Sequence, residues 1–264
     1  MPFTFAYITF PAGGQAWTDE AQRAEGLGYS TILLPDTYVT PSPFPYLAAA
    51  AVVTKSVKLR SWVLAAPTRT AATTVREVDA LQNLSDGRFE LGISSGRPDA
   101  AAEAAAAGLP WGSAPERRAQ VAETVQIVRE SVDPAPPVIV TAGGPKALIA
   151  AAGYADRIGL AAQPQATEAQ LHSMVDVIRS STNPNIPLTF QIGGIGDHVD
   201  GWVRRMTGMT DTELREVGAV GLLDADPAVA AELLEGLYTR WGVDEIIVPS
   251  SLTDVFAPVM KRLT

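Results

Sequence analysis

The sequence alternates short apolar, β-branched runs with longer alanine-rich segments, and this alternation constrains the fold more than any other feature. Eight runs have the length and composition of buried strands, and each is followed by a segment with helical character. The predicted strands are 3–9, 30–34, 57–64, 88–93, 137–141, 157–161, 188–192 and 243–248. The predicted helices are 17–28, 45–54, 70–84, 98–107, 114–131, 145–153, 168–180, 211–217, 227–241 and 255–263.

Strands that alternate with helices pair in parallel through right-handed crossovers. Eight such units in 264 residues predict a (β/α)8 TIM barrel, and an open doubly wound sheet is the structural alternative. No segment is long and polar enough to act as a linker, so we predict a single domain over residues 1–264. In a barrel the chemistry lies on the loops that follow the strands, and ligand-binding residues are expected there.

Composition narrows the classes of function. The chain has no cysteine, and its two histidines, His172 and His198, lack a metal-binding spacing, so we predict no metal site. The net charge of −9 disfavours nucleic acid as a partner, because phosphate binding needs clustered cations. MPFTFAYITF has no basic segment, and no apolar run is long enough to span a bilayer. A cytoplasmic enzyme or binding protein that acts on a small molecule is expected.

The run TAGGPK after the fifth predicted strand has the features of an anion-binding loop. Two glycines allow a tight turn, and the proline starts a helix whose free N–H groups and dipole attract negative charge. A lysine adds a cation. The alternative is a glycine-rich turn with a surface lysine. We predict a phosphate-binding loop made by Thr141, Ala142, Gly143, Gly144, Pro145 and Lys146.

The run GISSGR at the end of the fourth predicted strand supports two interpretations. G-x-S-x-G is the pattern of a nucleophile elbow, which would make Ser94 the nucleophile of a serine hydrolase. That mechanism needs a histidine base, but His172 is expected on a helix face and His198 in a loop. The barrel interpretation is that this loop binds a ligand through hydroxyls, backbone N–H groups and a guanidinium. The predicted ligand-binding residues are Ser94, Ser95, Gly96 and Arg97.

Three further positions follow or lie in predicted strands. Asp36 comes after the second strand and is either a functional carboxylate or the cap of a turn. Trp62 lies in the third strand and either packs in the barrel or stacks on a flat ring. Arg69 and Arg97 together either hold an acidic group of a ligand or are solvated surface residues.

Five segments together resemble the luciferase-like monooxygenase superfamily, whose members are flavin- or deazaflavin-dependent TIM-barrel oxidoreductases. The resemblance covers nearly the whole chain, and its short form is most similar to the actinobacterial branch that uses the deazaflavin coenzyme F420. The LSDGRFELG and GGPKALIAAAGYAD runs are its most specific parts. The segments are AQRAEGLGYSTILLPD, LAAAAVVTKSVKLRSWVL, REVDALQNLSDGRFELGISSG, VIVTAGGPKALIAAAGYADRIGL and MTDTELREVGAVGLLDADPAVAAELLEGLYTRWGVDEIIVP.

The resemblance implies a cofactor that lies across the barrel mouth. Residues 143–146 correspond to the family's phosphate-binding loop, and residues 95–97 to the loop beside the cofactor. Asp36 corresponds to an acidic residue after the second strand. Trp62–Val63 falls where many members have a non-prolyl cis peptide that backs the ring. Many members have His where this chain has Thr37, which removes a frequent proton donor or acceptor.

The leading hypothesis from this resemblance is an F420-dependent reductase or dehydrogenase that transfers a hydride to or from a small organic substrate. Asp36 and Thr37 are the candidate catalytic residues, and a homodimer is expected. The alternatives are a two-component monooxygenase that uses reduced FMN, a non-catalytic flavin-binding barrel, and the serine hydrolase. The residues expected to face the substrate are Tyr7, Thr9, Tyr38 and Gln191.

Overall fold

The computed structural model describes residues 3–37, 40–97 and 100–264. The strands are β1 (Thr4–Ile8), β2 (Thr31–Leu34), β3 (Lys58–Ser61), β4 (Leu64–Ala65), β5 (Phe89–Ser94), β6 (Val138–Ala142), β7 (Arg157–Leu160), β8 (Leu188–Gln191), β9 (Gly194–Ile195), β10 (His198–Val199), β11 (Leu222–Leu223) and β12 (Val243–Pro249). The helices are α1 (Gly14–Gly26), α2 (Pro43–Val53), α3 (Ala71–Leu84), α4 (Ala101–Ala106), α5 (Ala114–Ser131), α6 (Pro145–Ala152), α7 (Glu168–Arg179), α8 (Gly201–Thr207), α9 (Asp211–Glu216), α10 (Pro227–Trp241) and α11 (Thr253–Leu263).

The main sheet closes on itself. Its strand order is β3-β2-β1-β12-β8-β7-β6-β5, and β3 also pairs with β5, while the short β4 continues the third strand beside β5. The fold is therefore an α/β TIM barrel with eight parallel strands and surrounding helices. The predicted barrel is confirmed, and the open doubly wound sheet is excluded.

The chain divides into two compact units. The first unit comprises Met1–Ile8, Gly143–Gly153 and Arg157–Thr264, and the second comprises Thr9–Ala142 and Tyr154–Asp156. Within the first unit β12 pairs in parallel with both β1 and β8, and β8 pairs with β7. Within the second unit β3 pairs in parallel with both β2 and β5, and β5 pairs with β6. The single domain over 1–264 stays a prediction.

The first unit also contains a small three-stranded sheet that the sequence did not indicate. β9 pairs antiparallel with β10 and parallel with β11, and α8 and α9 lie between β10 and β11 in the chain. Val199, Val203, Leu214 and Ala219 form its buried core. His198 therefore lies in a short strand, which corrects the prediction that it is a loop residue.

The LSDGRF run has a structural role, because it forms the turn before β5 and binds the end of α2. Asp86 and Gly87 have φ of +52° and +77°, which makes a tight turn before β5. The Arg88 guanidinium donates to the carbonyl of Ala51 at 2.7 Å and to that of Val57 at 2.9 Å. It thereby satisfies carbonyls at and after the C-terminus of α2. The motif fixes the connection between α2 and β3.

Glu25, near the end of α1, supports the same connection. Its carboxylate accepts backbone N–H hydrogen bonds from Lys55 at 2.9 Å, Ser56 at 2.6 Å and Val57 at 2.9 Å. Burial raises the pKa of Glu25, but these hydrogen bonds together lower it more, and the resulting pKa is about 2. The ionised form is therefore bound preferentially in the folded state.

We expect Glu25→Gln to lower the free energy of unfolding at pH 7 by about 1 kcal/mol, because charge-assisted hydrogen bonds are replaced by neutral ones and the nearby solvent screens the difference. The folded-state pKa is depressed, so this contribution is complete above the unfolded pKa. It is lost as the pH falls from the ordinary value of 4.5 towards 2. Urea unfolding at pH 7, 4 and 2.5 measures it. A difference between the variant and the parent protein that is the same at all three pH values contradicts the assignment.

Within the part of the chain that the structure describes, no helix combines the length and the apolar character that crossing a membrane requires.

Candidate functional site

The third barrel strand is interrupted between β3 and β4, and the Trp62–Val63 peptide there is cis. Arg60 pairs with Glu90 and Leu64 pairs with Ile93, so one strand uses one residue more than its neighbour between the two pairs. An extra residue of this kind is a β-bulge, a feature that often lies beside active sites. Many members of the family that the sequence resembles have a non-prolyl cis peptide at this position, and this chain has one as well. Its role in backing a ring stays a prediction.

Position 92 on β5 requires a glycine, because the backbone of the bulge approaches it closely. A Cβ atom at Gly92 would lie 1.9 Å from the carbonyl oxygen of Ser61 and 3.2 Å from Cγ1 of Val63. The Ser61 hydroxyl donates to the Gly92 carbonyl at 2.9 Å and accepts from the Gly92 N–H at 3.2 Å. The first glycine of the G-x-S-x-G pattern is therefore explained by close packing against the bulge.

The second glycine of that pattern has a different cause. Gly96 has φ +79°, and a Cβ atom there would lie 2.5 Å from Cη2 of Trp111. The Trp111 ring is stacked on the Arg117 guanidinium, whose Cζ lies 4.4 Å from the ring centroid. Nε of Arg117 donates to the Ser95 carbonyl at 3.1 Å. Trp111 and Arg117 together hold the loop that follows β5.

Ser94 ends β5, and its hydroxyl accepts a hydrogen bond from the N–H of Gly96 at 3.1 Å. The second unit, which contains Ser94, has no histidine in its sequence. In the first unit His172 is exposed and contacts Asp176 at 3.0 Å, and His198 is exposed in β10. The structure of neither unit by itself supplies the serine with the base that a hydrolase needs.

Asp36, Arg69 and Glu77 form a charged cluster in the second unit. Nε and Nη2 of Arg69 donate to the two carboxylate oxygens of Asp36 at 3.0 and 3.1 Å, which is a bidentate pair. Nη1 of Arg69 donates to Glu77 at 2.7 Å, and its Cζ lies 5.4 Å from the centre of the Phe44 ring. Burial and the nearby Asp36 raise the pKa of Glu77, which Arg69 lowers in part. The guanidinium is thus engaged on three sides.

The two arginines that the sequence singled out bind carboxylates of the chain itself. Arg69 binds Asp36 and Glu77, and Arg97 binds Glu103. Sequence spacing does not reveal these pairs, and a role of Arg69 and Arg97 towards a ligand stays a prediction.

A cavity of about 470 Å³ opens beside this cluster. It brings together the two candidate catalytic residues, Asp36 and Thr37, whereas Tyr38 lies outside the described residues. Its volume falls in the range typical of small-molecule sites. Its described lining is Asp36, Thr37, Thr40, Ser42, Thr68, Arg69, Thr70, Thr73, Glu103, Ala107 and Leu109.

The predicted phosphate loop spans the boundary between the units in sequence. Thr141 and Ala142 end β6 in the second unit, where the Thr141 hydroxyl is buried and has no hydrogen-bond partner among the described atoms. In the first unit a Cβ atom at Gly143 would lie 2.8 Å from the carbonyl oxygen of Ala161. A buried hydroxyl without a partner is a group that a ligand could satisfy.

The start of α6 is uncovered. Gly144 is its N-cap, with φ −87° and ψ 152°, and it provides no side-chain cap. A Cβ atom at Gly144 would meet no described atom within 4 Å, and Gly144, Pro145 and Lys146 are all exposed. A helix start with exposed backbone and a neighbouring lysine fits an anionic group.

The family profile described as luciferase-like monooxygenase matches residues 12–184 of the 264-residue chain. The chain belongs to the luciferase-like monooxygenase family. A comparison with curated protein sequences gives no significant match.

Solved structures similar to this luciferase-like chain include enzymes that use either cofactor. F420-dependent tetrahydromethanopterin reductase from Methanopyrus kandleri is 17% identical, with a TM-score of 0.74 over 100% of both chains. An F420-dependent secondary alcohol dehydrogenase in complex with an F420–acetone adduct is 15% identical, with a TM-score of 0.75 over 100% of both chains. The oxygenating constituent of 3,6-diketocamphane monooxygenase from Pseudomonas putida, in complex with FMN, is 15% identical, with a TM-score of 0.70 over 98% of this chain and 95% of that one.

The candidate substrate residues of this luciferase-like protein lie in different environments. Tyr7 on β1 is 2% exposed, and Gln191 at the end of β8 is half-buried. Thr9 is buried, and its hydroxyl donates to Glu20 at 2.7 Å. Their role towards a substrate stays a prediction. The sequence did not reveal the roles of Trp111, which packs against Gly96, and Glu77, which binds Arg69. The available signals were that Trp111 precedes a predicted helix and that Glu77 is a carboxylate on the predicted third helix.

Proposed function

We propose that the protein is an F420-dependent oxidoreductase that transfers a hydride between the deazaflavin and a small organic substrate. The observation that carries the proposal is the uncovered start of α6 beside Lys146, in a chain that belongs to the luciferase-like family. Two F420-dependent enzymes whose structures resemble this chain over their full length support the choice of cofactor. A homodimer and a cytoplasmic location remain predictions.

The phosphate arm of such a cofactor fits residues 143–146. Gly143 packs closely against Ala161, whereas Gly144 leaves the start of α6 open. The dipole of α6 and the Lys146 ammonium both favour a negative charge at this position. These residues would hold the arm.

When bound, a deazaflavin supplies a carbon atom that accepts or donates the hydride. The residues of the chain supply orientation and polar contacts to the substrate. Arg69 fixes the Asp36 carboxylate through two parallel hydrogen bonds, so Asp36 presents a fixed acceptor to a substrate hydroxyl in the cavity. Thr37, beside it, adds a hydroxyl oxygen.

We expect Gly144→Val to weaken cofactor binding at least about tenfold, because a branched side chain would cover the start of α6 and displace the phosphate. The fold should be unaffected, since the space around Gly144 is empty. Gly13→Val is the matched control: Gly13 is the N-cap of α1 with φ −77° and ψ 150°, and a Cβ atom there also meets nothing within 4 Å. Absorbance titration with F420 and FMN, each oxidised and reduced, measures the affinities.

The titration also separates the candidate functions. Tight F420 binding that Gly144→Val weakens and Gly13→Val leaves unchanged supports the proposal. Unchanged binding in Gly144→Val means that the phosphate lies elsewhere, and failure to bind F420 refutes the cofactor assignment.

The second candidate is a monooxygenase that uses reduced FMN. The similarity to the FMN complex of the diketocamphane monooxygenase constituent favours it. Preferential binding of reduced FMN, followed by oxygen-dependent product formation, would support this candidate over the first. Cofactor binding without turnover of carbonyl, imine or enoyl substrates would favour the non-catalytic barrel instead.

A further inference from the structure

We propose that the cavity beside Asp36 binds a small polyhydroxylated molecule that carries no carboxylate or phosphate, and that this molecule is the substrate. The inference rests on the proposed function, because it identifies the class of substrate for the same site. It follows from the hydrogen-bonding capacity and the charge of the described lining.

Three hydroxyl groups in the lining, those of Thr37, Thr40 and Thr68, already donate their protons to other groups of the chain. The Thr40 hydroxyl donates to the Thr37 carbonyl at 3.0 Å, so Thr37 is the donor in the 3.1 Å contact between the two hydroxyls. The Thr68 hydroxyl donates to the Ala65 carbonyl at 2.9 Å. A hydroxyl has one proton and two lone pairs. Thr37 and Thr68 therefore present acceptors to a ligand in the cavity.

Asp36 adds further acceptors. A carboxylate accepts about four hydrogen bonds, and among the described residues the side chain of Asp36 receives two, both from Arg69. The carboxylate can therefore accept further hydrogen bonds from a ligand that has protons to donate. A carboxylate or phosphate group has no proton to give at neutral pH, whereas each hydroxyl of a polyol has one.

The charge of the lining leads to the same conclusion. Its described charged side chains are Asp36, Glu103 and Arg69. Arg69 binds Asp36 and Glu77, and Glu103 binds Arg97. These three carboxylates and two guanidinium groups leave an excess of one negative charge, which disfavours an anionic ligand.

The affinities of three sugars of the same size test the inference. Glucose is neutral, glucosamine carries an ammonium group and glucuronate carries a carboxylate. Calorimetry and ligand-observed NMR should be performed on the protein alone and after saturation with F420. We expect glucose and glucosamine to bind, and glucuronate to bind about tenfold more weakly than glucose or worse. Glucuronate that binds as tightly as glucose, or failure of all three sugars to bind in both states, overturns the inference.

A charge variant provides the reverse test. Asp36→Asn removes a carboxylate from the wall and releases at least one of the two Arg69 donors, because only one oxygen remains to accept, so glucuronate should bind at least about tenfold more tightly than to the parent protein. Asp211→Asn is the matched control, because Asp211 accepts a bidentate pair from Arg204 outside the cavity lining, at 2.8 and 2.6 Å. Its sugar affinities should equal those of the parent protein.

Unchanged glucuronate affinity in Asp36→Asn, with a folded protein by circular dichroism, refutes the inference. A tenfold gain in glucuronate affinity in the control Asp211→Asn refutes the inference as well. Because F420 binding is measured separately, a protein that binds F420 but none of the sugars loses the substrate assignment and keeps the proposed function. One that binds the sugars but neither cofactor loses the proposed function.

Discussion

Gly92→Ala is expected to lower the free energy of unfolding by at least about 4 kcal/mol, a loss that few single substitutions reach. The added methyl carbon would lie 1.9 Å from the carbonyl oxygen of Ser61, and neither atom belongs to a flexible side chain. The backbone of β5 or of the bulge must therefore move, which also breaks the two hydrogen bonds between Ser61 and Gly92. Urea unfolding monitored by circular dichroism measures the loss.

Two controls separate this effect from a general sensitivity of the second unit. Gly26→Ala adds the same atom at the end of α1, where no described atom lies within 4 Å, and should change stability by less than about 1 kcal/mol. Ser94→Ala tests the proposed nucleophile of the GISSG run, and this variant should fold like the parent protein. A Gly92→Ala protein with the unfolding midpoint of these controls would show that Gly92 is not needed for the bulge. In that case the nucleophile-elbow interpretation of the glycine would regain support.

The alternation of strands and helices predicted the barrel because each element carries its own local signals. α5 and α10 begin and end where the sequence predicted. Ser113 and Glu116 form a capping box before α5, and Asp226 caps α10, which ends at Gly242 with φ 72°. Such caps are visible in sequence because they involve neighbouring residues.

Elements without local signals were missed or misplaced. α1 was expected from residue 17, but it begins at Gly14 after Gly13, which offers no side-chain cap. The strands β9, β10 and β11 have two residues each, too few to show an alternating pattern. Contacts among Val199, Val203 and Leu214, which are separated in sequence, stabilise that region.

The candidate site shows the same division between local and long-range information. The sequence singled out Asp36, Thr37 and Trp62–Val63, because the barrel fold and the family resemblance both place functional residues at the ends and interruptions of strands. It did not predict that Arg69 would bind Asp36, since the two are 33 positions apart and only the folded backbone brings them together. This ion pair determines the charge and the hydrogen-bonding groups of the cavity, and the spacing of the residues in the sequence does not predict it.

A second large effect is expected at the base of the bulge, where Arg60 and Glu90 are almost fully buried. Nε of Arg60 donates to Glu90 at 2.7 Å, and the two side chains are 2% and 6% exposed. Arg60 also lies over the Trp62 ring, with its Cζ 5.8 Å from the centroid. Glu90→Gln removes the carboxylate that this buried guanidinium binds, so we expect a loss of about 3–5 kcal/mol in the free energy of unfolding.

Lys58 supplies the control for this prediction. Its ammonium contacts the same carboxylate at 2.8 Å, but its side chain is 54% exposed, so Lys58→Ala should cost less than about 1 kcal/mol. Replacing both buried partners, as in Arg60→Met with Glu90→Met, should cost less than Glu90→Gln alone, because no buried charge then loses its partner. Urea unfolding of the three variants tests the order. Equal losses in Lys58→Ala and Glu90→Gln would show that the carboxylate is stabilised mainly from the surface, and that the buried pair does not anchor the bulge.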